Sequence, residues 1–440
     1  MNKIHDVGII GAGISGLAIS YYLKKKGIKI CLIEKSNKPG GVIITKKIDG
    51  FICEEGPNTI VLNNQSIKDL INELNISNNI IKSDDSVKYK YFLHNNNIVT
   101  MPRSFKKFIF SPLFNFSAKI KIISGILYLK DVKSKTIYNF FKNNFGKQFH
   151  DNIIEPFLNG IYAGNTKKIL LKYALPNLWN IIKKNRSLLY FLLFKKSKKN
   201  KTISFTNGYK ELINKLELEN KKNINYLCEI NEINQKKKYF ELKTKSGKIF
   251  KCKKIVSTVP IDLLMKALKY KPKYITKKIN YNPIDVYHFK FESNESCKLP
   301  KGFGVLSKFS EKKSFLGILF SSFIFPDHTP KGMEMLTVLS GGAKQKNIVE
   351  KNINNLSKII EDEIKDLFKL KTLKNINKKR WINAIPSYNA EIKNIKHEIE
   401  NIEKKFKNLH VIGNYYDGVS VSSCVNIAKI KSEKIIKNGN

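Results

Sequence analysis

Apolar residues near the start of the chain follow a strand pattern, then a helix pattern, then a strand pattern again. A short apolar run at residues 7–10 ends at the glycine-rich segment 11–16. Apolar residues then recur at helical spacing over residues 17–23, and a second apolar run covers residues 28–33. This order predicts a strand, a glycine turn, a helix and a second strand.

The glycine turn and the acidic residue after the second strand are typical of a dinucleotide-binding unit. Gly11 permits a tight turn, Gly13 lets the backbone approach a diphosphate, and Gly16 allows the helix to pack closely on the strand. Free N–H groups at the helix start and the helix dipole favour the anion. Glu34 stands where a carboxylate accepts hydrogen bonds from ribose hydroxyls. These patterns predict a bound dinucleotide, FAD or NAD, contacted by Gly11, Ala12, Gly13, Ile14, Ser15, Gly16 and Glu34.

The later patterns divide the rest of the chain. Residues 66–74 predict an amphipathic helix, residues 88–101 a hairpin, and residues 102–201 a mostly helical segment. Further patterns predict strands at 226–230, 239–243, 254–259 and 409–412, a strand-rich segment at 270–342 and a helix at 348–368. We therefore predict an α/β fold, α+β overall, with a discontinuous Rossmann-like domain (1–88, 202–268 and 375–440), a helical insertion (89–201) and a mixed-sheet substrate domain (269–374).

The charge of the chain raises the question of an anionic partner. The 440 residues carry a formal net charge of +44, which is compatible with nucleic acid or an anionic membrane. The arginines, however, are few (Arg103, Arg186 and Arg380), and lysine is abundant throughout, as a coding bias would also produce. Aromatic and basic residues interleave between residues 102 and 201. That segment predicts either a lobe resting on an anionic membrane or a helical lobe with buried rings and solvated lysines.

Cysteine, histidine and hydropathy patterns narrow the class of protein further. Six scattered cysteines without a CxxC pair indicate reduced thiols, and seven histidines without an HxH or HExxH pattern give no metal motif. The first strand pattern begins a few residues after Met1, so we expect no cleavable signal, and no apolar run approaches the ~18 residues of a spanning helix. We expect a cytoplasmic protein that contacts, at most, the inner face of a membrane.

Two further turns follow the dinucleotide unit and carry a family resemblance. The pair Gly40-Gly41 and the Glu-x-Gly-Pro turn ending at Pro57 resemble the flavoprotein amine-oxidase-like superfamily, which binds FAD. Val42 stands where that superfamily often has arginine. The resemblance implies FAD contacts from Lys35, Gly40, Gly41, Val42, Gly56, Pro57, Asn58, Thr59, Val259, Trp381, Gly413, Val419, Ser420 and Val421.

Three later stretches are similar to the oxygen-dependent protoporphyrinogen oxidases and to the related bacterial coproporphyrinogen III oxidases. They cover residues 145–165, residues 302–342, and residues 381–388 together with the loop at 413–424. The resemblance implies the six-electron oxidation of a porphyrinogen in haem biosynthesis: FAD takes hydride equivalents in three rounds, and O2 reoxidises it to release H2O2. Because the flavin carries this chemistry, we expect no catalytic acid or base. The expected substrate contacts are Lys90, where the family commonly has arginine, and Gly304, Leu306 and Leu319.

Alternative functions stay open from the sequence. A flavin amine or polyamine oxidase, or a carotenoid-desaturase-like enzyme, would share the fold and the cofactor. A basic nucleic-acid-binding protein would account for the charge, but it would bind with steep salt dependence and carry no flavin. The porphyrinogen-type motifs favour an enzyme whose partners are a porphyrinogen and O2.

Overall fold

The computed structural model describes residues 4–189, 201–275, 279–294, 299–345 and 355–437. The described strands are, in chain order, β1 (Ile4–Ile10), β2 (Ile30–Ile33), β3 (Thr45–Ile48), β4 (Phe51–Glu54), β5 (Ile60–Val61), β6 (Ile80–Lys82), β7 (Lys90–His94), β8 (Asn97–Thr100), β9 (Thr202–Phe205), β10 (Ile224–Asn225), β11 (Ile230–Gln235), β12 (Phe240–Thr244), β13 (Ile249–Ser257), β14 (Tyr281–Glu292), β15 (Gly304–Ser307), β16 (Gly317–Leu319), β17 (Met333–Gly341), β18 (Lys374–Pro386) and β19 (Leu409–Val411).

The described α-helices are numbered in the same way. They are α1 (Ile14–Lys25), α2 (Gln65–Glu73), α3 (Phe105–Ile109), α4 (Phe116–Leu127), α5 (Ile137–Phe145), α6 (Lys147–Phe149), α7 (Glu155–Tyr162), α8 (Leu171–Ala174), α9 (Pro176–Lys184), α10 (Lys210–Asn220), α11 (Ile261–Ala267), α12 (Ser321–Ile324), α13 (Leu356–Phe368), α14 (Glu391–Lys405), α15 (Asn414–Asp417) and α16 (Val421–Lys437).

The first large sheet has the order β10-β2-β1-β13-β12-β11, and β19 also pairs with β13. Strands β2, β1, β13 and β19 are parallel. One register row, meaning a set of residues paired side by side across neighbouring strands, contains Ile33, Ile10, Ser257 and Val411. The segments that follow this row therefore leave the sheet at one edge. In open α/β sheets ligands bind at this carboxyl edge.

The second large sheet has the order β18-β14-β17-β16-β15-β7-β8. Strand side chains alternate between faces, and one face carries a buried apolar set that includes Tyr287, Phe289 and Val338. The amphipathic helix α13 covers this face with Leu356 and three further buried residues at helical spacing. On the opposite face, Met335 packs against Phe51 and Cys53 of β4.

Helices α3 to α9 form a separate lobe with an aromatic core. Phe140, Phe141 and Phe145 are buried there with edge-to-face and tilted ring contacts. Phe92 from β7 and Leu306 from β15 join the same core and so dock the lobe on the second sheet. No helix among the described residues combines the length and apolarity that crossing a bilayer requires.

The predicted fold class, a mixed α/β fold, is confirmed, while several local assignments differ. The hairpin of β7 and β8 and the strand β18 pair within the second sheet, although the sequence analysis placed these segments in the insertion and in the nucleotide-binding domain. Which sheet these strands join depends on pairing with strands far away in the sequence. The strand predicted at 226–230 is wrong because most of that segment is the connection between β10 and β11. Residues 195–199, five residues of the aromatic and basic segment that include four lysines, and the start of the helix predicted at 348–368 lie outside the described residues.

Candidate nucleotide and substrate site

The glycine turn after β1 is built without room for side chains. Gly11 has φ +98°, and a Cβ there would lie 2.6 Å from Thr258 Oγ1. A Cβ on Gly16 would lie 1.8 Å from the carbonyl oxygen of Gly11. Thr258 fixes the turn from the neighbouring strand because its hydroxyl donates to the carbonyl oxygen of Ile10 at 2.9 Å. The tight turn and the close helix packing expected of these glycines are both present.

Gly13 faces open space, unlike the other two glycines. A Cβ on Gly13 would meet no atom within 4 Å. Gly13 is also the N-cap of α1, which begins without a side-chain cap and without an acidic residue in its first turn. The first-turn N–H groups of a helix need acceptors from outside the helix. An uncapped positive helix end beside open space fits a diphosphate.

Glu34 is engaged by the glycine turn. Its Oε2 accepts from the Ala12 N–H at 2.6 Å, and its Oε1 accepts from the Ser36 N–H at 2.9 Å. The carboxylate thus ties the end of β2 to the turn after β1. Lys35 beside it is exposed.

The pair Gly40-Gly41 borders the turn from the other side. Gly40 donates to the carbonyl oxygen of Ala12 at 2.8 Å, and a Cβ on Gly41 would lie 3.4 Å from Gly13 Cα. Both glycines have positive φ, +107° and +60°. Val42 is 42% exposed, and its carbonyl oxygen would be 1.9 Å from a Cβ on Gly56. The structure therefore brings residues 40–42 and 56 to the predicted diphosphate position, whereas Pro57, Asn58 and Thr59 follow as half-buried residues.

The carboxy-terminal segment brings a second helix start to the same place. Gly413 follows β19, and the Ser420 hydroxyl accepts from the Ser423 N–H at 3.1 Å near the start of α16. The Ser15 hydroxyl in the first turn of α1 contacts the buried thiol of Cys424 in the first turn of α16, and burial raises the pKa of that thiol to about 11. The amino termini of α1 and α16 consequently lie side by side.

The other predicted cofactor residues, Val259, Trp381, Val419 and Val421, lie in different parts of the fold. Tyr415 donates to the carbonyl oxygen of Val259 at 2.9 Å, and the Trp381 indole donates to the carbonyl oxygen of Glu55 at 2.6 Å. Val421 is buried within α16, whereas Val419 packs against the core of the helical lobe. Trp381 lies on β18 and so reaches the nucleotide-binding part from the second sheet.

Two buried acidic residues of this region were not predicted. Glu54 accepts from the Tyr209 N–H and from the Thr45 hydroxyl, both at 2.8 Å, yet burial dominates and raises its pKa to about 8. Glu55 pairs with Lys46 at 2.8 Å. The two residues belong to the Glu-x-Gly-Pro turn, which was the one sequence feature that could have drawn attention to them. Nothing in the sequence indicated that they would be buried.

The predicted substrate residues meet across adjacent strands. Lys90, Gly304 and Leu319 stand in one register row on β7, β15 and β16. The row continues through Thr337, His288 and Asn377. The Asn377 side-chain amide donates to Glu55 Oε1 at 3.3 Å, so the row ends against the nucleotide-binding part. Burial lowers the pKa of His288 to about 3. His288 and Asn377 had no signal in the sequence.

Lys90 lies between two aromatic rings. Its Nζ is 5.7 Å from the ring centre of Phe157 and 5.6 Å from that of Phe303, which is the range of cation–π attraction. Loss of water contacts lowers the pKa of the ammonium group. Leu306, by contrast, packs into the core of the helical lobe, where its Cδ2 is 3.1 Å from the Cβ position of Gly160. The structure thus gives Leu306 a packing role.

A sheet with the parallel strands β2, β1, β13 and β19, a glycine turn and two converging helix starts is typical of a nucleotide-binding fold. A family model for flavin containing amine oxidoreductases matches residues 14–436. The chain belongs to this family.

Named relatives agree over nearly the whole chain. It is 28% identical to the protoporphyrinogen oxidase of Dictyostelium discoideum, covering 99% of this chain and 100% of that protein. It is 23% identical to the coproporphyrinogen III oxidase of Bacillus subtilis (strain 168), with 97% of each covered. A solved structure from Exiguobacterium sp. 255-15, provisionally assigned as a protoporphyrinogen oxidase, superposes with a TM-score of 0.85 at 20% identity, covering 99% of each chain. The resemblance to porphyrinogen oxidases is therefore confirmed.

Proposed function

We propose that this chain is an FAD-dependent porphyrinogen oxidase that converts protoporphyrinogen IX or coproporphyrinogen III to the porphyrin. The observation that carries the proposal is the register row that begins at Lys90 and ends at Asn377 beside Glu55. The row would link a substrate held near Lys90 to a cofactor held near Glu55, through the buried residues Thr337 and His288. Relatives named for both substrates support the reaction class.

The nucleotide part of the proposal rests on the glycine turn. The open side of Gly13 and the uncapped start of α1 suit the diphosphate of FAD, and Glu34 lies at the end of β2, where a ribose is expected. Bound FAD would supply the hydride acceptor. The protein's residues would hold the cofactor, shield the face of the substrate sheet from water and orient the macrocycle.

The substrate part of the proposal rests on apolar walls and one cation. Leu319 and the rings of Phe157 and Phe303 offer flat apolar contacts, while Lys90 offers a positive charge held between those rings. A porphyrinogen has an apolar macrocycle, puckered at its four sp3 bridging carbons, and carries propionates at its rim. Lysine keeps the charge of the family's usual arginine but lacks its bidentate geometry.

We further propose that O2 is the electron acceptor, that H2O2 is released, and that the helical lobe rests on an anionic membrane. Exposed Phe105, Phe110 and Phe116 support the membrane contact, since they lie among lysines on and between α3 and α4. Rings and lysines on one surface suit the boundary between lipid headgroups and acyl chains.

The decisive experiment mixes the purified, FAD-reconstituted protein anaerobically with each porphyrinogen and then admits air. We expect bleaching of the flavin absorbance before air, then its return with porphyrin fluorescence and peroxide. Putrescine and spermine are the comparison substrates and should leave the flavin oxidised. Protein that binds no FAD, or a yellow protein inert to both porphyrinogens, contradicts the proposal.

A further inference from the structure

Three donor side chains converge at the end of β1 that lies away from the glycine turn. A ring nitrogen of His5 and the sulfur atoms of Cys31 and Cys252 all lie within 4.8 Å of one another. The two thiols share a hydrogen bond. These residues belong to three neighbouring strands, β1, β2 and β13.

The cluster depends on a glycine. Gly8 on β1 is the register partner of Cys31 on β2, and a Cβ on Gly8 would lie only 2.5 Å from Cys252 Sγ. The thiol of Cys252 therefore occupies space that any other residue at position 8 would fill. Without this glycine the two sulfur atoms could not meet across β1.

The donor set is incomplete without a further partner. His5 Nδ1 is buried and has no hydrogen-bond partner within the described part of the chain. A buried polar atom without a partner costs free energy and calls for an explanation. Cys31 and Cys252 are both buried, whereas His5 is half-buried, so the His5 side of the cluster lies nearest to the surface.

We propose that His5, Cys31 and Cys252 form a binding site for a soft d10 metal ion, Zn2+ or Cu+. Two thiolates and an imidazole are the ligands such ions prefer. Zn–S and Zn–N bonds of ~2.3 and ~2.0 Å place tetrahedral ligand atoms ~3.5–3.8 Å apart, within the spacing of this cluster. The three ligands are far apart in the sequence, so no metal motif appears there.

Metal binding would release the protons of the two thiol groups. For Zn2+, two S–H bonds break, two Zn–S bonds form and two protons pass to the solvent, while the neutral imidazole donates a lone pair. Water completes the zinc coordination; Cu+ needs only the three protein ligands. The ion would clamp together strands that lead into the glycine turn, Glu34 and Thr258, and its binding free energy would add to the stability of the folded chain.

Cobalt titration of the reduced, purified full-length protein tests the proposal. We expect one Co2+ per chain, with thiolate-type d–d bands in the red, beyond the flavin absorption. Zn2+ and Cu+ should displace it, with two protons released per Zn2+ and a higher melting temperature in each case. Because Cys31→Ser could impair folding, His5→Gln at the half-buried position is the primary variant.

The variants and a control decide the outcome. His5→Gln should lower the affinity for Co2+ at least tenfold and abolish the metal-dependent rise in melting temperature, and Cys252→Ser should do the same. Cys228→Ser alters another buried thiol of the same apolar cluster and should leave both readouts unchanged. Any one of three results would overturn the proposal. These are the lack of stoichiometric metal binding, unchanged metal binding in His5→Gln, and a Cys31–Cys252 disulfide in place of metal uptake.

Discussion

The carboxylate of Glu34 accepts a hydrogen bond from the backbone N–H of Ala12, with 2.6 Å between the oxygen and the nitrogen. A single side chain thereby joins the end of β2 to the glycine turn. A hydrogen bond to a charged group contributes ~1.5–3 kcal/mol. The relationship makes Glu34 a support of the turn as well as a candidate ribose contact.

Replacing Glu34 should weaken FAD binding and stability together. We expect Glu34→Ala to lower the free energy of unfolding by about 2 kcal/mol and to raise the Kd for FAD, because the turn loses its anchor. Glu34→Gln keeps an acceptor for Ala12 and should recover most of the stability. Chemical denaturation and flavin fluorescence quenching measure the two quantities. Equal FAD affinity in all three proteins would remove Glu34 from the site.

Alanine at Gly13 and at Gly11 should have opposite consequences. Gly13→Ala meets no atom within 4 Å, so the melting temperature should be unchanged while FAD affinity falls, because the methyl group enters the space assigned to the diphosphate. Gly11→Ala should cost ~1–3 kcal/mol of stability, since φ is +98° and Thr258 blocks the methyl group. Calorimetry and FAD titration separate the effects. Normal FAD binding by Gly13→Ala would contradict the assigned diphosphate position.

Lys90 should act on substrate affinity. We expect Lys90→Ala to raise KM for the porphyrinogen about tenfold, equivalent to ~1.4 kcal/mol, with little change in kcat, because the charge holds a propionate away from the reacting carbon. Lys90→Arg should restore KM. Steady-state porphyrin fluorescence gives both constants. Lys68→Ala, at an exposed position on α2, is the control, and the same KM in Lys90→Ala as in this control would exclude the contact.

Glu54 should make stability depend on pH. Its pKa rises from 4.5 to about 8 on folding, so the folded protein holds a proton that the unfolded chain releases. Its contribution to stability is complete below pH 4.5 and is lost as the pH rises toward 8, with a slope of up to ~1.4 kcal/mol per pH unit. Glu54→Gln should flatten the decline seen in urea unfolding over this range.

The control for this pH dependence is an exposed carboxylate. Glu73→Gln removes a surface carboxylate that pairs with Lys25, and it should retain the slope of the unchanged protein. Identical slopes in Glu54→Gln and the unchanged protein would show that the buried carboxyl group is ionised throughout.

The exposed rings of the helical lobe should govern vesicle binding. Phe110 and Phe116 are 77% and 78% exposed, and burying one phenylalanine in an apolar phase yields ~1.5–3 kcal/mol. We expect Phe110→Ser with Phe116→Ser to reduce flotation with phosphatidylserine vesicles at least tenfold. Leu218→Ser changes an exposed apolar residue on α10 and should float as before. Absence of flotation for the unchanged protein would remove the membrane contact.

Sequence reasoning succeeded where one local pattern determines one local geometry. The turn at Gly11 and Gly16 follows from steric limits on a tight strand-to-helix connection, and the hairpin at 88–101 follows from alternation around an asparagine turn. The sequence could not reveal that Leu306 packs into the helical lobe, since an apolar strand residue fits a substrate wall and a core equally well. It also missed His288 and Asn377, whose neighbours come from distant strands.

The sequence by itself determined the local units of this protein: the glycine turn, the periodicities of helix and strand, and the charge of each side chain. The tertiary structure alone decided which units share a sheet, and therefore that Lys90 stands in one row with Leu319 and Asn377. The physical reason is the distance along the chain over which each interaction acts. Backbone sterics and side-chain periodicity act over a few residues, whereas strand pairing and burial depend on partners that only the folded chain brings together.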